Sequence, residues 1–130
     1  MRFVGFIDGQ DLPLWYAAAT VFTLPSLYEG FGMGLLEAMS CGTPVVTTTS
    51  SSLPEVVGDA GLMVPPTDAD ALGEALLRLL NDADLRAEMR ERGLRQALRF
   101  SWRETAERTL AVYRAAAAGT APYIPAQDAG

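Results

Sequence analysis

The apolar positions of this chain follow two periods, and the change between them comes at Pro65 and Pro66. Before the two prolines, short runs rich in β-branched and aromatic residues alternate with stretches of helical period. After them, only the helical period remains. A parallel sheet with crossover helices gives the first pattern, and a helical cap gives the second. We therefore predict an α/β fold in which a small parallel sheet is closed by C-terminal helices.

About four short strands are expected, at residues 2–7, 21–24, 45–48 and 61–64. The run at 45–48 is continuous enough to be buried on both faces of the sheet. Helices are expected at residues 11–19, 35–41 and 55–57, and then at 69–81, around 85–98 and after the capping box Ser101-x-x-Glu104. The domain is expected to end at residue 118, with a flexible tail at residues 119–130.

Each of the longer helices is expected to bury one apolar face. For the helix at 11–19 this face consists of Leu12, Leu14, Trp15 and Ala18. For the three C-terminal helices it consists of Leu72, Leu76, Leu79, Leu80, Leu85, Met89, Leu94, Leu98, Trp102, Ala106, Thr109, Leu110 and Tyr113.

The segment that most strongly indicates a binding or catalytic site is EGFGMGLLE, at residues 29–37, which follows the second strand and runs into the next helix. Its glycines predict a turn that leads into the helix, so that free backbone N–H groups and the positive end of a helix dipole meet at one point. Such a point favours an anion, most often a phosphate. A short G-x-G is also common at ordinary tight turns, so the glycines alone are weak evidence for a nucleotide.

Two carboxylates, Glu29 and Glu37, bracket this turn. Negative charge beside a phosphate is repulsive unless each carboxylate has its own hydrogen-bond donors, and sugar hydroxyls are suitable donors. Glu29 precedes the turn and can reach a group in front of the helix. Glu37, expected in the first helical turn, can accept from a vicinal diol. An acid in the first turn also complements the helix dipole without binding anything, so both interpretations of Glu37 stay open.

Composition excludes several classes of function. The chain has 130 residues, 49% of them hydrophobic, which suffices for one domain with a buried core. It contains no histidine, which excludes Ser-His-Asp and Cys-His catalysis within the chain and removes the usual ligands of a catalytic zinc. We therefore expect no metal. Cys41, at the end of a predicted helix, is interpreted as a small buried hydrophobe.

The distribution of charge argues against binding to nucleic acid. The formal charge is −6, lysine is absent, and nine of the ten arginines lie between Arg78 and Arg114 in the helical part. Such a cluster is typical of a solvated helix face with charge pairs rather than a phosphate-backbone surface. No apolar run approaches the roughly 20 residues that span a bilayer, and no signal peptide is recognised, so we expect a cytoplasmic location.

Five stretches in unbroken order resemble the retaining glycosyltransferases of family 4 (glycosyl transferases group 1), which have the two-domain GT-B fold. They are FVGFID, LPLWYAAATVFTLPSLYEGFG, LLEAMSCGTPVV, LPEVVGDAGLMV and RFSW. The resemblance implies the C-terminal, donor-binding part: the second half of a doubly wound, Rossmann-like parallel sheet with a helical cap. It also implies transfer of a hexose from an NDP-sugar to an acceptor hydroxyl with retention, without a cofactor or metal.

Carried over by position, the resemblance assigns roles to individual residues. It implies that Glu29 is the catalytic residue beside the transferred sugar and that Glu37 binds the ribose diol of the donor. The other donor-binding residues that it implies are Phe31, Gly32, Met33 and Gly34 in the turn, and Ile7 and Asp8 at the nucleobase. Gly34 departs from the family, which often has proline or a hydroxyl residue there, so we expect a looser turn.

The resemblance also implies that sequence is missing. The family's acceptor-binding domain, the opening strands of its donor domain and the arginine and lysine that bind the diphosphate all lie upstream of the matched region, and Arg2 is the nearest cation here. We therefore expect a part of a longer enzyme that is inactive alone. Its unpaired strand at 2–7 would favour dimerisation, and the full enzyme is open to peripheral association with a membrane.

Two other interpretations are compatible with a nucleotide-binding α/β fold. In the first, the chain is a non-catalytic or split-subunit module that binds a nucleotide sugar and is completed by a partner chain. The second is a nicotinamide-binding Rossmann domain. It is disfavoured because its G-x-G-x-x-G motif should follow the first strand, where this chain has FIDGQD.

Overall fold

A computed structural model of the chain describes residues 1–120, which divide into a unit at Met1–Leu98 and a second unit that begins at Arg99. The first unit holds a sheet of three strands, β1 (Phe22–Leu24), β2 (Val45–Thr48) and β3 (Gly61–Val64). Its helices are α1 (Leu12–Ala18), α2 (Met33–Ser40), α3 (Leu53–Val57), α4 (Ala69–Asn81) and α5 (Ala83–Ala97). The described part of the second unit contains α6 (Trp102–Ala117).

The sheet is parallel throughout, in the order β1-β2-β3. Phe22 pairs with Val45 and Val45 pairs with Gly61, so β2 is central. Helix α2 connects β1 to β2, and α3 connects β2 to β3. Because all strands run in one direction, their carboxyl ends and the loops that follow them lie at one edge of the sheet.

Both faces of β2 are covered, as its sequence predicts. Val45 packs in a buried cluster with residues of α2 and α3, which include Leu35 and Leu53. Val46 points to the opposite face and packs with Leu79 of α4 and with other residues of α4, α5 and β3. Successive side chains of a strand alternate between faces, so a central strand with helices on both sides buries the side chains of both faces.

The C-terminal helices begin where side-chain caps are available. Asp68 accepts a hydrogen bond from the backbone N–H of Ala71 at 2.9 Å, and Asp82 accepts one from Leu85 at 2.9 Å. The predicted cap at Ser101 is confirmed, since its hydroxyl oxygen accepts from the backbone N–H of Glu104 at 3.2 Å. These caps satisfy N–H groups that have no partner within their helices.

One predicted strand is absent. Residues 2–7 form no strand, and β1 is an edge strand among the described residues, so the sheet has three strands rather than four. Phe3 and Phe6 are 85% and 95% exposed. A strand forms only where a neighbour accepts its ladder of hydrogen bonds, and within the described residues this segment has no such neighbour.

Several apolar residues that were expected to be buried are exposed. They are Leu14, Trp15, Ala18, Leu80, Leu98, Trp102, Ala106, Leu110 and Tyr113, and Thr109 of the same predicted face is exposed as well. Leu98 lies beyond the last residue of α5, and α6 buries none of its residues. A single helix cannot bury its own apolar face, and the described part of the second unit offers α6 no other element of secondary structure. Residues 121–130 of the predicted tail lie outside the described part of the chain.

Candidate functional site

The segment that joins β1 to α2 is held by hydroxyl groups from the end of β2. Thr47 donates a hydrogen bond from Oγ1 to the carbonyl oxygen of Leu24 at 2.8 Å, and Thr48 donates one to the carbonyl oxygen of Ser26 at 2.6 Å. Both threonines are buried. Their hydroxyls therefore bind the carbonyl groups of Leu24, the last residue of β1, and of Ser26, which lies just beyond the strand.

Two serines continue this pattern up to Glu29. The hydroxyls of Ser51 and Ser52 both donate to the carbonyl oxygen of Glu29, at 2.6 and 3.0 Å. Ser51 has φ 55°, the only positive φ of a non-glycine residue in the part of the chain that is described. The backbone at Glu29 is thus fixed from the loop before α3, which lies at the same edge of the sheet.

The side chain of Glu29 is also held. The hydroxyl of Ser26 donates to Oε1 of Glu29 at 2.7 Å. No hydrogen bond to Oε2 is found among residues 1–120, and the side chain is half-buried. One carboxylate oxygen is therefore anchored, and the other is available as a charged acceptor.

Helix α2 begins earlier than its sequence predicts. Gly32 is its N-cap, with φ 94°, and Met33 is its first residue, whereas the predicted start is residue 35. Gly34 therefore lies in the helix and does not loosen the turn. A Cβ on Gly34 would meet Phe22 Cζ at 3.4 Å and the Tyr16 hydroxyl oxygen at 3.5 Å, which are ordinary contacts.

This start also changes the interpretation of Glu37. The first turn of α2 contains no acidic residue, and Glu37 is the fifth residue of the helix rather than part of its first turn. The influence of the helix dipole falls off within the first turn, so dipole complementation no longer accounts for Glu37.

The carboxylate of Glu37 has a partner on another helix. The hydroxyl of Tyr16, on α1, donates to Oε2 of Glu37 at 3.0 Å. Burial of the phenol, followed by the hydrogen bond and the negative charge of Glu37, raises the pKa of Tyr16 from 10.0 to about 12. Tyr16 is therefore a neutral donor at physiological pH, and no hydrogen bond to Oε1 of Glu37 is found among residues 1–120.

The predicted site residues lie on two segments of the chain. Glu29, Gly32, Met33, Gly34 and Glu37 lie on one loop and the helix that follows it, and Phe31 and Met33 are 37% and 40% exposed. Ile7 and Asp8 precede α1. Asp8 serves the local turn, since its Oδ1 accepts from the N–H of Gln10 at 3.0 Å and its carbonyl oxygen accepts from the N–H groups of Asp11 and Leu12.

Sequence analysis missed the residues that hold the two glutamates. For the Glu29 loop a signal existed, because residues 47–52 are six consecutive hydroxyl residues directly after a buried strand. For Tyr16 no local signal existed, because it lies 21 positions before Glu37. Cys41 is a free cysteine that is half-buried rather than fully buried.

Arg92, Arg103 and Arg108 form charge pairs along their helices, as predicted, whereas the contacts of Arg86 and Arg90 with backbone carbonyl groups were not predicted. Arg90 donates to the carbonyl oxygen of Gly42, just beyond the C-terminal end of α2, and Arg86 donates to carbonyl oxygens near the end of α4. Arg92 pairs with Asp59 and Glu88. In residues 1–120 no three Cys, Asp or Glu side chains are grouped so as to hold a metal ion, and no helix there is both long and apolar enough to cross a bilayer.

Comparison with known proteins identifies the family. A family model described as Glycosyl transferases group 1 matches residues 1–82. The chain belongs to this family. O-antigen chain mannosyltransferase B of Escherichia coli is 49% identical over 114 residues, which are 88% of this chain and 30% of that protein. The chain thus spans less than a third of the length of this curated relative.

Solved structures confirm the predicted fold class. Sucrose-phosphate synthase from Thermosynechococcus elongatus superposes with a TM-score of 0.81 at 37% identity, over 91% of this chain and 30% of that one. Anabaena HepE in complex with UDP-glucose superposes with a TM-score of 0.68 at 27% identity, over 74% of this chain and 27% of that one. The α/β layer of this chain is therefore a part of the glycosyltransferase fold with parallel strands.

Proposed function

We propose that this chain is the donor-binding part of a retaining glycosyltransferase that moves a hexose from an NDP-sugar to an acceptor hydroxyl. One observation carries the proposal. Glu29 and Glu37 each have one carboxylate oxygen anchored by a hydroxyl donor, while no partner is found within residues 1–120 for the other oxygen. A fixed carboxylate with one open oxygen suits the hydroxyl groups of a sugar, which are donors at neutral pH.

Each glutamate then has its own part of the donor. Glu29, in front of α2, would accept from hydroxyls of the transferred hexose and is the proposed catalytic residue. Glu37, one helical turn further on, would accept from the ribose diol. Between them, the turn of residues 31–34 would meet the diphosphate. The first N–H groups of α2, which begins at Met33, form the positive end of its dipole and would stabilise the negative charge of the phosphates.

The remaining substrate contacts and partners are part of the same proposal. Ile7 and Asp8 would meet the nucleobase edge, and the acceptor would bind a further domain. No metal or cofactor is proposed, and the location proposed is the cytoplasm. A relative named as a mannosyltransferase and a relative in complex with UDP-glucose support a hexose donor carried by a nucleotide.

The two glutamates can be tested separately in the intact protein. Glu37→Gln should mainly weaken binding of a nucleoside diphosphate, measured by calorimetry, and Glu29→Gln should mainly lower turnover of the sugar donor. Each change weakens a hydrogen bond to a charged acceptor, worth roughly 1.5 to 3 kcal/mol. Glu74→Gln, at an exposed position on α4, is the matched control. The anomeric configuration of the product, determined by NMR, tests retention.

Equal and less than threefold effects of the two changes on donor use would remove both glutamates from the site. Inversion at the anomeric carbon would leave the donor site in place and overturn the proposed stereochemistry.

A second candidate function is a non-catalytic or split-subunit module that a partner chain completes. It is favoured by the arginines: Arg86, Arg90 and Arg92 bind backbone carbonyls and acidic residues outside the segment 29–37. Cations for a dianionic leaving group would then come from another chain. Nucleoside diphosphate binding that needs a second chain, without transfer by either chain alone, would support this function.

A further inference from the structure

We propose that Tyr16 is a positioning residue for the donor: its hydroxyl fixes the carboxylate of Glu37 in the orientation that leaves Oε1 for the ribose diol. The proposal rests on the proposed role of Glu37. It adds a residue of α1 to a site whose two glutamates lie on the β1–α2 loop and on α2.

The hydrogen bond determines which oxygen stays available. Tyr16 donates to Oε2 of Glu37 at 3.0 Å, across two helices. A glutamate side chain on a helix surface is otherwise free to rotate, and fixing it at the moment of binding costs conformational entropy. A donor that is already in place removes this cost before the nucleotide arrives.

Tyr16 is itself fixed, which a positioning residue requires. Its ring packs edge-on against Phe22 of β1, with ring centroids 5.2 Å apart and an interplanar angle of 83°. Its carbonyl oxygen accepts a hydrogen bond of 2.6 Å from the hydroxyl of Thr43. A Cβ on Gly34 would lie 3.5 Å from the Tyr16 hydroxyl oxygen, which shows that the phenol lies beside the first turn of α2.

The protonation state of Tyr16 agrees with this role. Burial of the phenol and the neighbouring charge of Glu37 raise the pKa of Tyr16 to about 12. The phenol therefore keeps its proton at neutral pH and donates a hydrogen bond to the carboxylate of Glu37.

A ligand that lacks the diol separates positioning from plain structural support. In the intact protein, calorimetry identifies which of UDP, GDP and ADP binds most tightly, and the same nucleotide in its 2′-deoxy form is then measured. Wild type should prefer the ribonucleotide by about tenfold. Tyr16→Phe keeps the ring but removes the hydroxyl. It should weaken ribonucleotide binding by about five- to tenfold and change binding of the 2′-deoxy form by less than about twofold.

Two further variants complete the experiment. Tyr113→Phe removes the hydroxyl of an exposed tyrosine on α6 and should leave both affinities unchanged. Phe22→Leu loosens the packing that holds Tyr16 and should lower the preference for the ribonucleotide in the same direction. It also serves as the test if Tyr16→Phe does not fold, as judged by circular dichroism.

The outcomes are distinguishable. If wild type does not prefer the ribonucleotide, the proposed role of Glu37 is wrong and the role of Tyr16 falls with it. If wild type prefers it and Tyr16→Phe keeps the full preference, only the role of Tyr16 is wrong. An equal loss for both nucleotides would show that Tyr16 supports the fold and does not position Glu37, which would also overturn the proposal.

Discussion

The side chain of Leu53 lies directly over the α-carbon of Gly32. A Cβ on Gly32 would lie only 2.7 Å from Cδ2 of Leu53, and both residues are buried. Gly32 also has φ 94°, a conformation that other residues rarely adopt. The N-terminus of α2 therefore depends on glycine for two independent reasons, one in the backbone and one in the packing of α3.

From this contact we predict that Gly32→Ala lowers the free energy of unfolding by about 2 to 4 kcal/mol, because left-handed backbone and overpacking add. Gly30→Ala is the control, since a Cβ there meets nothing within 4 Å and φ is not positive. Urea denaturation of both variants measures the difference. Equal stability of the two would contradict the described start of α2.

The second prediction concerns how much the hydrogen bond from the hydroxyl of Thr48 to the carbonyl oxygen of Ser26 contributes to stability. Thr48→Val keeps the shape of a buried side chain but leaves the carbonyl oxygen of Ser26 without its donor, and it should cost about 1 to 3 kcal/mol of unfolding free energy. Thr49→Val, at an exposed position next to it, should change stability by less than about 0.5 kcal/mol. If thermal unfolding shows the same shift for both, the hydroxyl of Thr48 does not hold the loop of Glu29.

Tyr16 makes stability depend on pH at the alkaline end. Its pKa is 10.0 in the unfolded reference and about 12 in the folded chain, so the unfolded state loses the proton first as the pH rises. The contribution of the protonated Tyr16 to the free energy of unfolding is therefore complete below pH 10 and is lost as the pH rises from about 10 to about 12. Tyr16→Phe should reduce this loss. Urea denaturation at pH 9 and pH 11.5 checks it, and an identical decline in wild type and variant would be inconsistent with the hydrogen bond to Glu37.

Hydrogen exchange should distinguish the strand that forms from the one that does not. The amides of β2 are paired on both sides and their residues are buried, so they should be among the slowest to exchange. The amides of residues 2–7, which form no strand, should exchange rapidly. Protection of residues 2–7 comparable to that of β2, in a dilute sample, would mean that another segment or a second copy pairs with them.

The sequence alone predicted the features of the fold that depend on residues only a few positions apart in the chain. The bounds of β2, β3 and α4 follow from β-branched runs, from hydrophobic period and from the glycines and prolines that interrupt them. The cap at Ser101 is likewise local. Five stretches in unbroken order, two of which contain Glu29 and Glu37, identified the family, and the comparisons confirm that identification.

Other features of the fold and of the site depend on contacts between residues that are far apart in the chain, and only the tertiary structure determines these. Residues 2–7 have a strand-like sequence but form no strand, because a strand also needs a neighbour and the sequence of a segment does not supply one. The start of α2 follows from the packing of Leu53 on Gly32, and the orientation of Glu37 follows from Tyr16. The sequence by itself placed two carboxylates around a glycine turn. Which oxygen of each carboxylate is anchored was decided by hydroxyl groups of Ser26 and Tyr16, and only folding brings Tyr16, from a separate helix, to α2.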